Sequence, residues 1–92
     1  MNGIPAGHAF AKFKMAEDPD ILLDQIGMRI VRRRKELGLT QDEFAKRLGI
    51  TRPNVGIIER GEQNVTVRTM CKVAEALETT VEELMFGAPA RR

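Results

Sequence analysis

The 92-residue sequence contains no tryptophan, no tyrosine and only four phenylalanines. So few aromatic residues argue against a β-sandwich, whose strands are rich in them. The length suffices for one small domain, because two separate hydrophobic cores would need a longer chain. With 42% hydrophobic and 30% charged residues, the composition favours a compact helical core. We therefore expect a single all-α domain.

Cysteine and histidine are also scarce, since Cys71 and His8 are the single residues of their types. One cysteine cannot form an intramolecular disulfide, and these two side chains do not supply the four ligands of a usual metal site. We expect Cys71 to be a small packing residue. No acid or nucleophile is spaced to act with His8. The sequence thus predicts no enzyme, no metal and no cofactor.

Long apolar runs are missing as well. No stretch approaches the roughly 20 residues that a membrane-spanning helix needs, and the first residues lack the basic start and apolar core of a signal peptide. Together with the absence of paired cysteines, this pattern predicts a cytoplasmic protein without a membrane partner.

Helical periodicity and cap residues predict five helices and no strand. The first helix is expected from residue 21 or 25 to Leu37, with Gly38 ending it. Thr40 and Glu43 have the spacing of a capping box for a second helix of about eight residues, which Gly49 ends. Threonines also precede the third, fourth and fifth helices: Thr51, Thr66 and Thr80.

The remaining chain divides around this helical part. Residues 1–19 are predicted to form a flexible arm that carries Phe10, Phe13 and Met15. Residues 20–86 form the domain, and residues 87–92 form a tail. Within the fourth helix, an apolar stripe is expected to face the core: Val67, Met70, Val73, Ala74 and Leu77.

The formal charge of +2 hides an uneven distribution. Residues 25–60 carry nine Lys or Arg and four Asp or Glu, a balance of +5. Residues 61–92 carry four and five, or −1, and residues 1–24 carry two and four, or −2. A basic segment between acidic ends is the electrostatic pattern expected for a nucleic-acid partner. Within it, Arg29, Arg32 and Arg33 form a cluster on the first helix that is expected to reach flanking phosphates.

The second and third predicted helices are short and joined by a turn containing Gly49, which is the pattern of a helix-turn-helix. The segment 39–51, LTQDEFAKRLGIT, resembles the start of a phage-repressor, Cro-like (Xre-type) helix-turn-helix. The segment 57–62, IIERGE, resembles the end of that family's recognition helix, and 72–77, KVAEAL, resembles its fourth helix. The resemblance covers about residues 25–86 and implies a five-helix lambda-repressor-like fold.

The resemblance also implies site residues for binding double-stranded DNA. The positions that read base edges are Arg52, Pro53 and Ile57. The positions that contact the phosphate backbone are Gln41, Asn54, Arg60 and Asn64. The third helix would lie in the major groove.

The reading positions depart from the usual pattern, because many relatives carry Gln, Ser or Asn there. Here, only Arg52 can make a bidentate hydrogen bond, most naturally to guanine. Ile57 can contact at most a thymine methyl, and Pro53 and Gly56 offer no polar side chain. We expect DNA shape or paired half-sites to supplement this direct readout.

Two charged residues lie where apolar ones are expected. Arg34 falls on the same helical stripe as Ile30 and Leu37, and Glu59 flanks Val55 on the third helix. A partly buried ion pair between the first and third helices explains both, and the resemblance implies the same pair.

A homodimer on a pseudo-palindromic site is the expected assembly, since one recognition helix rarely gives enough affinity. Met85 and Phe86 are the candidate interface residues, although closure of the monomer's own core would explain them equally. Two other functions stay open. An antitoxin would bind a protein partner through its arm while repressing its own operon, and a protein–protein module would have kept the fold without DNA readout.

Overall fold

A computed structural model describes residues 18–87, which form five α-helices and no strand within that range. The helices are α1 (Pro19–Glu36), α2 (Gln41–Leu48), α3 (Arg52–Glu59), α4 (Val67–Ala76) and α5 (Val81–Phe86). α1 packs against α3 and α5, α2 packs against α3 and α4, and α4 contacts α5. The all-α prediction is confirmed. The arm residues Phe10, Phe13 and Met15 and the tail beyond Gly87 lie outside the described residues.

α1 begins earlier than the periodicity predicts. The Asp18 carboxylate accepts hydrogen bonds from the backbone N–H groups of Asp20 and Ile21, at 3.0 and 3.2 Å. Pro19 occupies the first helical position, where its missing N–H costs nothing. This cap and proline mark a helix start that apolar spacing alone does not show. Pro19 therefore belongs to the helix and not to the arm.

The short helices α2 and α3 are bounded by local chemistry. Thr40 and Glu43 form the predicted capping box, with each side chain accepting from the other's backbone N–H at 3.0 and 2.8 Å. The hydrogen bond from the Thr40 backbone lowers the pKa of Glu43. Gly49 ends α2 with a φ of 74°, a conformation that favours glycine. Two eight-residue helices thus follow each other across three residues, as the sequence predicts.

Eleven buried apolar residues from all five helices and the end of α4 make one core. The largest fully buried side chains come from four segments: Phe44, Ile30, Leu77, Val55 and Val73. Since helices of eight residues are not stable alone in water, this core holds α2 and α3 in place. Val67 and Cys71 are exposed instead of packed, so the inner stripe of α4 begins one turn later than predicted.

The backbones of α1 and α3 approach each other closely where α1 crosses the end of α3. A Cβ atom added to Gly27 would lie 2.3 Å from the backbone oxygen of Glu59 and 2.9 Å from its carbonyl carbon. No side chain fits between these backbones. Gly27 is therefore required by the packing of α1 on α3.

We expect Gly27→Ala to lower the free energy of unfolding by about 1–3 kcal/mol, because the new methyl group must push two backbones apart. This loss should exceed the gain of about 1 kcal/mol in helix propensity. Urea denaturation followed by circular dichroism measures the change. Met28→Ala, at the neighbouring position where the side chain is 70% exposed, is the control and should change stability by less than about 0.5 kcal/mol. Equal stability of Gly27→Ala and the unsubstituted protein would contradict the steric argument.

Candidate nucleic-acid interface

The buried face of α3 determines which of its side chains face outward. Val55, Ile58 and Glu59 are buried. At 3.6 residues per turn, the opposite side carries Pro53, Ile57 and the following Arg60. Pro53 and Arg60 are exposed, and Ile57 is half-buried. The outward face of α3 is thus mainly apolar, with Arg60 at its C-terminal end, while Arg52 is exposed at the first position of the helix.

A buried ion pair fixes the orientation of this helix. The Arg34 Nε atom donates to Oε2 of Glu59 at 2.6 Å, and Nη2 donates to Oε1 at 3.2 Å. Each residue is only 9% exposed. The remaining arm of the guanidinium, Nη1, donates to the backbone oxygen of Leu39 at 2.8 Å. Arg34 therefore joins α1 to α3 and to the loop before α2.

Gln41 extends this network into α2. Its Nε2 atom donates to Oε1 of Glu59 at 2.9 Å, and the side chain is half-buried. Gln41 is the first residue of α2, where unpaired backbone N–H groups favour an anion. The Gln41 side chain thus has a structural partner, Glu59, that the sequence does not predict. The predicted phosphate contact of Gln41 would be made from this same position at the start of α2.

The solved structures and curated proteins that resemble this chain agree on its family. A helix-turn-helix family model matches residues 30–84. The chain belongs to the helix-turn-helix family. An HTH-type transcriptional regulator of Sinorhizobium fredii, y4dJ, is 38% identical over 60 residues, which cover 65% of this chain and 78% of the relative.

Two crystal structures show the same fold. The restriction-modification controller protein C.AhdI from Aeromonas hydrophila is 37% identical, with a TM-score of 0.64 over 67% of this chain and 94% of C.AhdI. The P22 c2 repressor, solved in complex with a synthetic operator, is 27% identical, with a TM-score of 0.64 over 68% of this chain and 96% of the repressor. The expected lambda-repressor-like fold is confirmed.

Three other residues that are predicted to contact DNA are exposed: Arg52, Asn54 and Asn64. Arg52 starts α3 and is exposed, and its Nε atom lies 3.7 Å from Oδ1 of Asp42 in the first turn of α2. Such an exposed pair is weak, so the guanidinium can leave it for a ligand. Asn54 and Asn64 are exposed in the first turn of α3 and in the loop before α4.

Arg60 is held by a neighbour. Its Nε and Nη2 atoms donate to the Glu62 carboxylate at 2.8 and 3.2 Å. This hydrogen bond raises the pKa of Arg60 and lowers the pKa of Glu62. Both side chains are more than half exposed. Arg60 is thus paired with Glu62, a contact that the family resemblance does not imply.

Arg33 caps α4 instead of facing outward. Its Nε atom donates to the backbone oxygen of Leu77 at 2.8 Å, and Nη2 donates to that of Glu78 at 3.1 Å. Nη1 donates to Glu36 at 3.3 Å. The phosphate contact of Arg33 stays a prediction, and the structure adds that its guanidinium satisfies carbonyl groups at the end of a helix.

Arg32, like Arg33, lies on a side of α1 that does not face α3. Gly27 contacts α3 and Arg34 binds Glu59, so these two residues define the face of α1 towards α3. Arg32 lines a wide polar groove beside the turn from α4 to α5, together with Arg33. Its phosphate contact stays a prediction, and it would need DNA that extends beyond α3.

The arginines Arg29 and Arg47 also have structural roles that the sequence analysis missed. Nη1 of Arg29 donates to the backbone oxygens of Leu84 and Met85 at 3.1 and 2.7 Å, and Nη1 of Arg47 donates to that of Ala76 at 2.8 Å. Some of the arginines that make residues 25–60 basic therefore bind the carbonyl ends of other helices. No local signal identifies these partners, since they lie 29 or more residues away in the chain.

The predicted interface residues lie at the end of α5. Met85 is half-buried and lines an apolar groove of about 180 Å³ between α1, α4 and α5. Phe86 is 71% exposed. Met85 thus contributes to closing the monomer, and Phe86 does not.

Other kinds of site find no support between residues 18 and 87. No group of three or more His, Cys, Asp or Glu side chains in that range is arranged to hold a metal ion. No helix there is long and apolar enough to cross a membrane.

We expect single substitutions of the buried pair to cost more than the double substitution. Arg34→Met should lower the free energy of unfolding by about 3 kcal/mol or more, because Glu59 stays buried without its ionic partner. Glu59→Leu should cost a similar amount for the converse reason. The variant with both changes should be less destabilised than either single variant. A double-mutant cycle by chemical denaturation measures the coupling, and simple additivity would show that the pair is not coupled.

Proposed function

We propose that the protein is a dimeric regulator that reads a pseudo-palindromic operator by placing α3 in the major groove. Membership of the helix-turn-helix family makes it a DNA-binding transcriptional regulator and not an enzyme. The observation that carries the finer proposal is the exposed outward face of α3, held at a fixed angle by the buried Arg34–Glu59 pair. We expect the protein to act in the cytoplasm.

The proposed contacts follow from position on the helix-turn-helix. Arg52, at the first position of α3, is placed to donate to guanine, because the first turn of a recognition helix meets the bases. Pro53 and Ile57 would contact the groove through apolar atoms, such as a thymine methyl. Asn54 and Gln41 would position the protein on the phosphates.

Two features support a dimer. A single eight-residue recognition helix reads few base pairs, and two-fold symmetric half-sites double the contacts. Phe86 exposes a large apolar surface next to the half-buried Met85 at the end of α5. Covering this surface with a second copy would remove it from water. The antitoxin alternative stays a prediction, because the arm on which it rests lies outside the described residues.

We expect selection from random double-stranded DNA to enrich an inverted repeat. Arg52→Ala should relax the preference at one base pair in each half-site, with a loss of roughly 1–3 kcal/mol in discrimination. Affinity should fall steeply with salt, because phosphate contacts release counterions. Arg68→Ala, an exposed arginine on α4, removes the same charge and should leave the selected sequence unchanged. Absence of any enriched sequence would favour the protein–protein module instead.

We expect Phe86→Ser to weaken the dimer without unfolding the monomer. Its side chain is 71% exposed, so its loss removes little from the core. Met28→Ser is the matched control, since Met28 is 70% exposed on α1. Sedimentation velocity at micromolar concentrations, with and without the selected operator, measures the association. A monomeric unsubstituted protein under both conditions would contradict the dimer.

A further inference from the structure

The outward face of α3 contains a space that is filled from the end of the helix. Gly56 has no side chain, and Arg60, one turn later, folds back over it. Nη1 of Arg60 lies 2.9 Å from the position that a Cβ atom of Gly56 would occupy, and Cζ lies at 3.7 Å. Gly56 is buried, although the nearby Pro53 is exposed and Ile57 is half-buried. Any larger residue at 56 would displace the guanidinium.

The turn after α3 positions the acid that holds this arginine. Gly61 adopts a φ of 69°, and the backbone N–H of Glu62 donates to the oxygen of Ile57 at 3.1 Å. These contacts fix Glu62 beside α3, where its carboxylate binds Nε and Nη2 of Arg60. A guanidinium donates through two edges, and this pairing uses one of them. The edge formed by Nη1 and the second N–H of Nη2 makes no hydrogen bond to another residue among those described.

We propose that Arg60 is a base-reading residue, which donates from the Nη1–Nη2 edge to O6 and N7 of a guanine in the major groove. The proposal rests on the proposed function, since it assumes that α3 enters that groove. Gly56 provides the space for the guanidinium, and Glu62 sets its orientation. The resemblance implied a phosphate contact for Arg60, so this assignment is different.

Charge argues for a base and against a phosphate as the partner. Arg60 and Glu62 together carry no net charge, so the pair adds little to the attraction between protein and DNA backbone. A phosphate at Arg60 would also approach the Glu62 carboxylate, and two like charges repel. A guanine edge is neutral and offers two acceptors in the spacing of the guanidinium fork. The composition of the face supports this choice, because neither Pro53 nor Ile57 can donate a hydrogen bond.

The sharpest test is Arg60→Lys, which keeps the positive charge but removes the paired N–H donors of the guanidinium. Sequences bound by the unsubstituted protein and by Arg60→Lys are selected from random double-stranded DNA and compared position by position. The proposal predicts that preference for guanine at one position of each half-site falls roughly 5- to 150-fold in Arg60→Lys. The other positions and the salt dependence of binding should persist. Arg68→Lys, the same change on α4, is the control and should alter neither.

A second variant tests the role of the space. In Gly56→Ala, the methyl group meets only the end of a flexible side chain, so the fold should persist with an unchanged or higher melting temperature. The same base position should nevertheless lose its preference, because the guanidinium is displaced. Glu62→Gln should raise affinity for all sequences by removing a negative charge near DNA, and should reduce discrimination at that position alone.

The outcomes separate this inference from the proposed function. If the unsubstituted protein enriches no sequence, the proposed function fails and the inference fails with it. If a motif is enriched but stays the same in Arg60→Lys and Gly56→Ala, only the inference is overturned. Arg60→Ala distinguishes the remaining role, since a phosphate contact would weaken all sequences equally and reduce the salt slope by about 1.

Discussion

The buried pair between Arg34 and Glu59 is the contact on which the placement of α3 depends. An apolar core alone accepts several arrangements of short helices, because hydrophobic contacts have little directionality. A carboxylate that is 9% exposed requires its partner at hydrogen-bond distance, since an unpaired buried charge is costly. Rotation or sliding of α3 by one residue would move Glu59 away from both Arg34 and Gln41. The pair therefore selects one orientation of the helix-turn-helix relative to α1.

The pair acts together with a steric constraint. Gly27 lets the backbone of α1 approach the backbone oxygen of Glu59 itself, so the residue that carries the charge is also in close backbone contact with α1. The backbone contact sets the distance between α1 and α3, and the guanidinium sets the rotation. What remains exposed, the side of α3 opposite Glu59, is a consequence of these two contacts. The outward face of α3 is thus determined from the buried side of the helix.

The features predicted from the sequence are those whose signals are local. The Thr40–Glu43 capping box and Gly49 identify α2, because each signal and its structural effect lie within a few residues. The start of α1 at Pro19 also has a local signal, the Asp18 cap, which apolar spacing does not detect. Helical periodicity predicts Val67 in the core, because it does not reveal that a first-turn residue lies beyond the edge of the core.

The contacts of the α1 arginines with distant carbonyl groups could not be predicted, for a different reason. Arg33 binds the backbone oxygen of Leu77, which is 44 residues away in the sequence, and carbonyl groups at a helix end carry no side-chain signal. A basic cluster in the sequence therefore does not reveal which of its arginines cap helix ends. The role of Gly27 is not predictable for a similar reason, since a glycine within a helix indicates a close approach only once the opposing backbone is known.

The proposed role of Arg60 would give the mainly apolar outward face of α3 a second residue that discriminates between bases. Arg52 and Arg60 are eight positions apart, or about 12 Å along the axis at 1.5 Å per residue. A side chain that extended forward from Arg60 would reach beyond the part of a recognition helix that meets the bases, which is its N-terminal half. Because Arg60 folds back over Gly56, its guanidinium lies beside the middle of α3 and not beyond its end. In the proposed complex, the apolar positions between the two arginines would contact methyl groups and follow groove shape.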